Sequence, residues 1–482
     1  MNNKNKNASR RYRPWVTCVS LLFVVFTAAG CASNTLETWH TTRLTEDFSS
    51  RDDAETFQDY LAIESRAFEE LDEKIVADIG TGPEYTLNRF SRGSASNPES
   101  FPQNYNRSYE LIPENVRGGA LLLHGMSDSP YSLRAIADSL HGAGFHVVNL
   151  RLPGHGTAPS ALTRTRWKDF AAAVELSMAY LHQTVGERPV HIVGFSNGAP
   201  LAVNYALDAI NDAGLPQAES LILIAPAIGV TRAAGAAGFF ATMGQLPGMS
   251  GLQFTQTLPP FDPFRYNSFP TNGATQTHKL TRRIARGVAT LERKGQGERM
   301  PPILMFKSSV DSTVSNDAVI DRLLGRLPDN GSELILFDIN RLAANATLLV
   351  DNPGPFAERL VYDNDLPFAV TLITNESLDS RRVVSRRKPA GGAAFADPVP
   401  LEREWPEGTV SLSHVSITFP PDDLLYGSVP PEDDEQLFLG GRTLRGERGL
   451  LRVPDNWFTR QRYNPFFDYL EQRLLDWLAP EP

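Results

Sequence analysis

The sequence predicts an α/β protein with a mostly parallel central sheet flanked by helices. From residue 118 onward, short apolar runs bounded by Gly or Pro alternate with helical segments, beginning with ALLLHG, YSLRAIADSLHGAG and FHVVNL. Strands that alternate with helices of this length form βαβ units, in which the strands lie parallel. The apolar runs are continuous, which is typical of strands covered by helices on both faces.

The later elements continue this alternation. The sequence predicts a helix at WKDFAAAVELSMAYLHQ, a strand at VHIVGF, a helix at APLAVNYALDAINDAG, and strands at SLILIAP, PILMFKS and ELILFD. Two segments interrupt the pattern. Residues 227–299 are rich in Gly, Ala, Phe and Met and then become basic and helical, and residues 341–409 carry loop signals, Pro and the basic run RRVVSRRK.

The first thirty residues are typical of a secretory leader. A basic stretch precedes the apolar run VTCVSLLFVVFTAAG, and no acidic residue occurs before Glu37. A charged region followed by an apolar region is the pattern of a signal peptide. The apolar run is short for a membrane span, although a marginal transmembrane anchor is the alternative.

The leader ends in Ala28-Ala29-Gly30-Cys31, which resembles a bacterial lipobox, with Ala28 where Leu is usual. The resemblance implies that Cys31 carries lipid and becomes the mature N-terminus. Several acyl chains give stable membrane anchoring, which one chain does not. Ala32 follows the cysteine, and the sorting rules of Gram-negative lipoproteins then favour the outer membrane. We therefore expect a lipid-anchored protein of the bacterial cell envelope, facing the periplasm.

Residues 31–110 are polar and acidic and predict an extension that lies near the surface, ahead of the catalytic fold. Apolar residues recur at helical spacing in AETFQDYLAIESRAFEELDEKI, at Phe57, Leu61, Phe68, Leu71 and Ile75, and predict one helix there. The Asn-, Ser- and Pro-rich stretch at 91–107 predicts a loop.

Composition narrows the classes of function. The formal net charge of -10 argues against a general nucleic-acid-binding protein, which would normally present a basic face. Both cysteines, Cys18 and Cys31, lie near the start, so the rest of the chain cannot hold a disulfide framework. The sequence contains no evident metal-ligand cluster or phosphate-binding glycine motif, and we expect no cofactor.

Residues 194–198, GFSNG, form a G-x-S-x-G pattern between the strand VHIVGF and a following helix. This is the setting of a nucleophile elbow, where a tight turn exposes the serine hydroxyl above the sheet. The positive end of the helix also faces the site. A serine hydroxyl is a weak nucleophile alone, so Ser196 needs a base and an acid that orients the base.

The order of residues selects candidates for both partners. When the acid and then the histidine follow the serine, the histidine must be His278 or His414, because no other histidine follows Ser196. His278 lies in the basic helical segment before any acid at a strand end, so His414 is the candidate base. Asp311, after PILMFKS, is the candidate acid, and Asp338, at the end of ELILFD, is the alternative.

Two backbone N–H groups are candidates for an oxyanion hole, which stabilises negative charge on the reacting carbonyl oxygen. One belongs to Asn197, directly after the nucleophile. The other belongs to Met126, in the loop that begins His124-Gly125 after the first buried strand.

Together, ALLLHGMSDSP, RLPGHG, GFSNG, VDSTV and SHVSI resemble the α/β-hydrolase superfamily. The resemblance is to the branch of monoacylglycerol lipases, carboxylesterases and serine-aminopeptidase-like hydrolases, and covers about residues 111–340 and 405–480. It implies a cofactor-free Ser-His-Asp hydrolase with a helical cap over the site. We expect a leader at 1–30, an N-terminal extension at 31–110, a core at 111–226, 300–340 and 410–482, a cap at 227–299 and an extra insertion at 341–409.

Two departures from the family pattern matter. A long insertion separates Asp311 from His414, and it could shape the pocket, dock a partner or cover the sheet edge. GFSNG lacks the Trp-containing form typical of proline iminopeptidases, which favours ester over peptide hydrolysis. We expect hydrolysis of a small ester or acyl substrate through an acyl-enzyme. The alternatives are a non-catalytic lipoprotein on this fold, or action on thioesters, amides or peptides.

Overall fold

The computed structural model describes residues 36–229, 250–350, 355–432, 436–441, 453 and 459–479. The predicted leader and Cys31 lie outside the described residues. The strands are β1 (Tyr109–Leu111), β2 (Gly118–Leu123), β3 (Phe145–Leu150), β4 (Val190–Phe195), β5 (Ser220–Ile224), β6 (Phe254–Gln256), β7 (Phe269–Pro270), β8 (Ile303–Ser308), β9 (Glu333–Phe337), β10 (Ala369–Asn375), β11 (Arg382–Lys388) and β12 (Val399–Glu404). The helices are α1 (Thr38–Thr41), α2 (Phe57–Lys74), α3 (Arg134–Gly142), α4 (Trp167–Val185), α5 (Gly198–Asn211), α6 (Thr271–Arg293), α7 (Asp317–Arg322), α8 (Pro355–Tyr362) and α9 (Phe467–Leu478).

Within the described residues, one sheet of ten strands has the order β1-β3-β2-β4-β5-β8-β9-β10-β11-β12. The strands from β3 to β10 in this order are parallel to their neighbours. The edge strands β1, β11 and β12 pair antiparallel. The predicted fold class, a mostly parallel central sheet flanked by helices, is confirmed.

The sheet is covered on both faces because alternate residues of each strand enter different cores. In β2, Leu121 and Leu123 belong to the larger core, and Ala120 and Leu122 to the smaller one. Helices α2, α4, α5, α6, α7 and α8 contribute apolar side chains to the larger core. Helices α3 and α9 contribute to the smaller core. Strands buried on both sides explain the uninterrupted apolar runs in the sequence.

The N-terminal extension packs one face of its helix against the larger core. Helix α2 forms where predicted and starts with a capping box between Thr56 and Asp59. However, its inner face consists of residues such as Phe57, Tyr60 and Ile63, which belong to the larger core. The outer face of α2 is exposed, at residues such as Gln58 and Ser65, so the helix lies at the surface as expected while its inner face forms part of the core. Its contacts with α4 and the sheet are non-local, so the period of its own sequence could not reveal them.

The described part of the expected cap contains a small strand pair and a helix of the main body. Strands β6 and β7 pair antiparallel outside the central sheet. Helix α6 buries Leu280, Ile284 and Val288 in the larger core. This helical half of 227–299 therefore flanks the sheet instead of standing apart from it. Residues 230–249 lie outside the described residues.

The insertion at 341–409 extends the central sheet. It adds β10 parallel to β9, then β11 and β12 as an antiparallel continuation. Its two ends meet at Asn340, whose backbone N–H donates to Val410 O at 2.9 Å and whose Nδ2 donates to Thr409 O at 2.9 Å. The chain thus leaves the core after β9 and returns to nearly the same point, directly before His414.

Candidate active site

Ser196 lies in a tight turn between β4 and α5. Its φ is 50°, in the left-handed region that residues with a side chain rarely adopt. Its backbone N–H donates to Ile224 O at 2.9 Å, and its carbonyl oxygen accepts from Ala227 N at 3.0 Å. Both bonds connect the turn to the end of β5, so the neighbouring strand holds the strained serine in place.

The flanking glycines are required by close backbone approach. A Cβ on Gly194 would lie 2.6 Å from Ala199 N, and a Cβ on Gly198 would lie 1.9 Å from Leu123 O. A Cβ on Gly125, in the loop after β2, would lie 3.2 Å from Ser196 Cβ. Both glycines of the G-x-S-x-G pattern are therefore needed because the backbones of α5 and β2 pass directly beneath the turn.

Three of the predicted site residues come together through hydrogen bonds. Ser196 Oγ lies 2.9 Å from His414 Nε2, and His414 Nδ1 lies 2.8 Å from Asp311 Oδ2. Because an ionised carboxylate only accepts, Nδ1–H donates to Asp311, which leaves Nε2 as the acceptor for the serine hydroxyl. Asp311 Oδ1 accepts from the backbone N–H of Thr313 at 2.8 Å and of Val314 at 3.2 Å.

Burial and neighbouring charges set the protonation of this group. Burial lowers the pKa of His414, while Asp311 raises it and Lys307 and Arg460 lower it, and the net shift is downward. Burial alone would raise the pKa of Asp311, but His414 and Lys307 more than offset it and hold that pKa below its ordinary value. The arrangement favours a neutral imidazole beside an ionised carboxylate at neutral pH.

Lys307 is a site residue that the sequence reasoning missed. It lies near the end of β8, its side chain is fully buried, and Nζ donates to Asp311 Oδ2 at 3.2 Å. The same carboxylate oxygen thus accepts from both His414 and Lys307. Burial lowers the pKa of Lys307, and Asp311 opposes that shift. The sequence did contain a signal for it, a lysine in the largely apolar strand run PILMFKS. A charge buried in such a strand requires a partner, which would have pointed to a nearby acid.

Asp338, the alternative acid, is engaged elsewhere. Its Oδ2 accepts from Arg341 Nε at 2.5 Å and from Thr374 Oγ1 at 3.0 Å. These contacts connect the end of β9 to β10. No described hydrogen bond joins Asp338 to His414.

Of the two residues predicted for an oxyanion hole, Asn197 directly follows Ser196, and Met126 follows Gly125, at which a Cβ would lie 3.2 Å from Ser196 Cβ. Within the described part of the chain, the backbone N–H of neither residue donates a hydrogen bond. His124 supports the Met126 loop: its Nδ1 lies 2.8 Å from Gly125 O, and its Nε2 accepts from Leu152 N at 3.0 Å. Burial and the neighbouring His155 lower the pKa of His124 well below its ordinary value, which fits a neutral structural imidazole.

Comparison with known proteins places the chain in a family. Residues 114–339 match the family described as serine aminopeptidase, S33. The thermostable monoacylglycerol lipase of Bacillus sp. (strain H-257) is 31% identical over 202 residues, which cover 42% of this chain and 73% of that lipase. The chain belongs to the monoacylglycerol lipase and esterase branch of the α/β-hydrolases.

Solved structures are also similar to this hydrolase. One comes from the work on LipS and LipT, two metagenome-derived lipolytic enzymes. It is 19% identical, covers 48% of this chain and 87% of its own, and has a TM-score of 0.38. Another is the monoacylglycerol lipase of Paleococcus ferrophilus, at 16% identity, 48% of this chain, 88% of its own and a TM-score of 0.36.

Two other features are absent from the described residues of the hydrolase. These residues contain no group of three or more His, Cys, Asp or Glu side chains placed to hold a metal ion. They also contain no helix with the length and apolar character needed to cross a bilayer.

Proposed function

We propose that this hydrolase cleaves carboxylic esters through a covalent acyl-enzyme. Ser196 is the nucleophile, His414 the general base and acid, and Asp311 the residue that orients His414. The observation that carries the proposal is the continuous hydrogen bonding from Ser196 through His414 to Asp311, beginning at a strained elbow. Nucleophile, base and orienting group within hydrogen-bond reach are the requirement for serine catalysis.

In the first half-reaction, Ser196 Oγ attacks the ester carbonyl carbon while His414 Nε2 takes the hydroxyl proton. The backbone N–H groups of Met126 and Asn197 stabilise the negative oxygen of the tetrahedral intermediate. The intermediate then expels the alcohol, which receives the proton from His414. Asp311 stays ionised and stabilises the imidazolium.

In the second half-reaction, water attacks the acyl-enzyme carbonyl and gives a proton to His414. Collapse of this intermediate releases the carboxylic acid and returns the proton to Ser196 Oγ. The relation to a monoacylglycerol lipase supports a small ester with an acyl group, such as a monoacylglycerol, as substrate. The proposed mechanism uses no cofactor. The proposed substrate is not a nucleic acid.

We also propose that lipid on Cys31 anchors the enzyme in the bacterial cell envelope, at the outer membrane facing the periplasm. The support is the leader and the lipobox-like Ala28-Ala29-Gly30-Cys31 in the sequence. An enzyme attached to a membrane meets amphiphilic esters where they concentrate.

The test is hydrolysis of 4-nitrophenyl esters of increasing chain length by the full-length protein in nonionic detergent. We expect Ser196→Ala and His414→Ala to lose turnover by about a millionfold, and Asp311→Ala by on the order of ten-thousandfold. Asp338→Asn is the control for the acid, and we expect the folded variant to retain activity. A folded wild type that hydrolyses no ester and does not react with a fluorophosphonate would disprove the proposal.

A further inference from the structure

The first two turns of helix α6 lie against both residues that are proposed to supply the oxyanion hole. A Cβ on Gly273 would lie 3.1 Å from Met126 Sδ and 3.3 Å from Met126 Cγ. One turn later, Thr277 Oγ1 donates to Asn197 Oδ1 at 2.8 Å. Residues four positions apart lie on the same face of a helix. One face of α6 therefore contacts the side chains of both oxyanion-hole residues.

Thr277 and Asn197 meet in a buried contact. Thr277 is 6% exposed and Asn197 is 1% exposed. The Thr277 hydroxyl also lies 3.1 Å from Gly273 O, one turn back on the helix, which restricts its rotation. Within the described part of the chain, Asn197 Nδ2 has no hydrogen-bond partner. The contact with Thr277 is therefore what orients the Asn197 amide among these residues.

Gly273 sets how closely α6 approaches the loop that carries Met126. The Met126 side chain occupies the space that a side chain at position 273 would need. The backbone of this loop is held as well, because Tyr266 N donates to Ser127 O at 2.8 Å. Tyr266 lies shortly before α6 along the chain. One stretch of the chain thus contacts both the side chain and the backbone of the oxyanion loop.

The start of α6 is itself fixed to the core. Asn272 Nδ2 donates to Leu162 O and to Thr165 O, both at 2.8 Å. Gln276 Oε1 accepts from Trp167 N at 3.2 Å. The later turns of α6 are buried in the larger core. The helix is therefore a fixed support for the side chains that its first turns contact.

On the basis of the proposed ester hydrolysis, we propose that Gly273 and Thr277 are positioning residues for the oxyanion hole. Their contacts fix the Met126 and Asn197 side chains and, through them, the position of the two backbone N–H groups. Such donors must lie about 2.7–3.1 Å from the oxyanion, so a small displacement weakens binding of the transition state more than binding of the substrate. The hydroxyl at position 277 and the absence of a side chain at position 273 are thus requirements for fast turnover.

Substitutions at the two positions test this proposal in the full-length protein. Thr277→Val keeps the shape of the side chain and removes the hydroxyl. We expect kcat for 4-nitrophenyl butyrate to fall roughly tenfold to a hundredfold with KM nearly unchanged, because a displaced donor loses stabilisation of the transition state. Thr277→Ser retains the hydroxyl and should retain kcat. Gly273→Ala, whose Cβ displaces the Met126 side chain, should lower kcat in the same way.

Two substitutions on the same helix are matched controls. Thr281→Val also removes a buried threonine hydroxyl, which donates to His278 O at 3.0 Å. Gly287→Ala also adds a Cβ in close contact, 2.7 Å from Leu207 Cδ1. Both controls should keep the wild-type kcat, and melting temperatures compare the stability of all variants. The proposal is overturned if the controls lose as much kcat as the site variants, or if the site variants keep the wild-type kcat.

Inhibition by an alkyl trifluoromethyl ketone provides a readout without turnover. Ser196 Oγ adds to the ketone carbon, the electron pair of the broken C=O π bond forms the oxyanion, and the serine proton moves to His414. We expect the inhibition constant to rise in Thr277→Val by the factor by which kcat/KM falls, since both report on a tetrahedral oxyanion. An unchanged inhibition constant would rule out the positioning role. A folded wild type that neither hydrolyses esters nor binds the ketone would instead refute the ester-hydrolase proposal, and this inference with it.

Discussion

Lys307 changes the electrostatics of the group that contains His414. In a histidine–carboxylate pair, the carboxylate stabilises the protonated imidazole and so makes the histidine more basic. Here the Asp311 carboxylate also faces a fully buried ammonium at 3.2 Å, and Arg460 approaches from the C-terminal segment. Both cations oppose protonation of His414. The histidine therefore remains neutral, and able to accept the serine proton, to lower pH than Asp311 alone would permit.

Removal of this ammonium should move the pH dependence of the enzyme. Lys307→Met takes away a charge that lowers the pKa of His414, so that pKa rises and the acidic limb of kcat/KM shifts to higher pH. The pH profile of ester hydrolysis measures the shift. Lys388→Met is the matched control, because Lys388 is also buried but donates to backbone carbonyls such as Asp363 O at 2.7 Å. An unmoved acidic limb in Lys307→Met, with a loss of stability equal to that of the control, would mean that Lys307 is only structural.

The N-terminal extension holds the loop RLPGHG against the core. Arg151 in this loop is fully buried and bonds to Asp47 at 2.6 and 3.1 Å. Asp47 Oδ2 also accepts from Gly154 N at 2.7 Å. From helix α2, Tyr60 donates its hydroxyl proton to Arg151 O at 2.5 Å. The extension is therefore an integral support of the catalytic fold.

Breaking this contact should cost far more than breaking a similar pair on the surface. Asp47→Ala removes the carboxylate that bonds the buried Arg151 through two oxygens and leaves only Glu64, 3.9 Å away, so we expect a loss of about 3 kcal/mol in the free energy of unfolding. Asp72→Ala removes an exposed pair with Arg92 and should cost only about 0–1 kcal/mol. Urea unfolding of both variants makes the comparison. Similar small losses would show that the extension is only loosely attached.

At the scale of the whole molecule, the insertion lengthens the central sheet, and His414 still lies within hydrogen-bond distance of both Ser196 and Asp311. Asn340 joins the two ends of the insertion, and Ser308 Oγ donates to Leu412 O at 3.0 Å beside His414. The histidine loop is thus fixed to β8 and β9 although residues 341–409 intervene. Of the three roles that the sequence left open, the described strands favour coverage of the sheet edge, since β10 pairs directly with β9.

The proposed lipid anchor on Cys31 can be tested by substituting each of the two cysteines in turn. In a Gram-negative host, Cys31→Ser should abolish incorporation of labelled fatty acid and release the protein from the outer-membrane fraction, because the lipid acceptor is lost. Cys18→Ser, within the proposed leader, is the control and should retain both properties. Membrane association that persists in Cys31→Ser with an intact leader would instead support the transmembrane-anchor alternative.

The sequence by itself determined the features that depend on neighbours along the chain. The apolar runs and their spacing predicted the strands, the helix at Phe57–Lys74 and the parallel sheet. GFSNG located the elbow, because Gly194 meets the backbone of Ala199 within the same turn, although Gly198 is required by Leu123 O of the neighbouring strand β2. The order of Ser196, Asp311 and His414 along the chain predicted the catalytic group, and this prediction rests on the order that the family uses.

The tertiary structure decided what depends on residues distant in sequence. The burial of α2, the place of α6 in the core and the contact of Lys307 with Asp311 arise from packing between separate segments. The sequence favoured Asp311 over Asp338 as the partner of His414 but left Asp338 open, and the hydrogen bonds show Asp311 in that position. The reason is physical: periodicity reports which face of an element is apolar, but only the folded chain determines what that face and its charges meet.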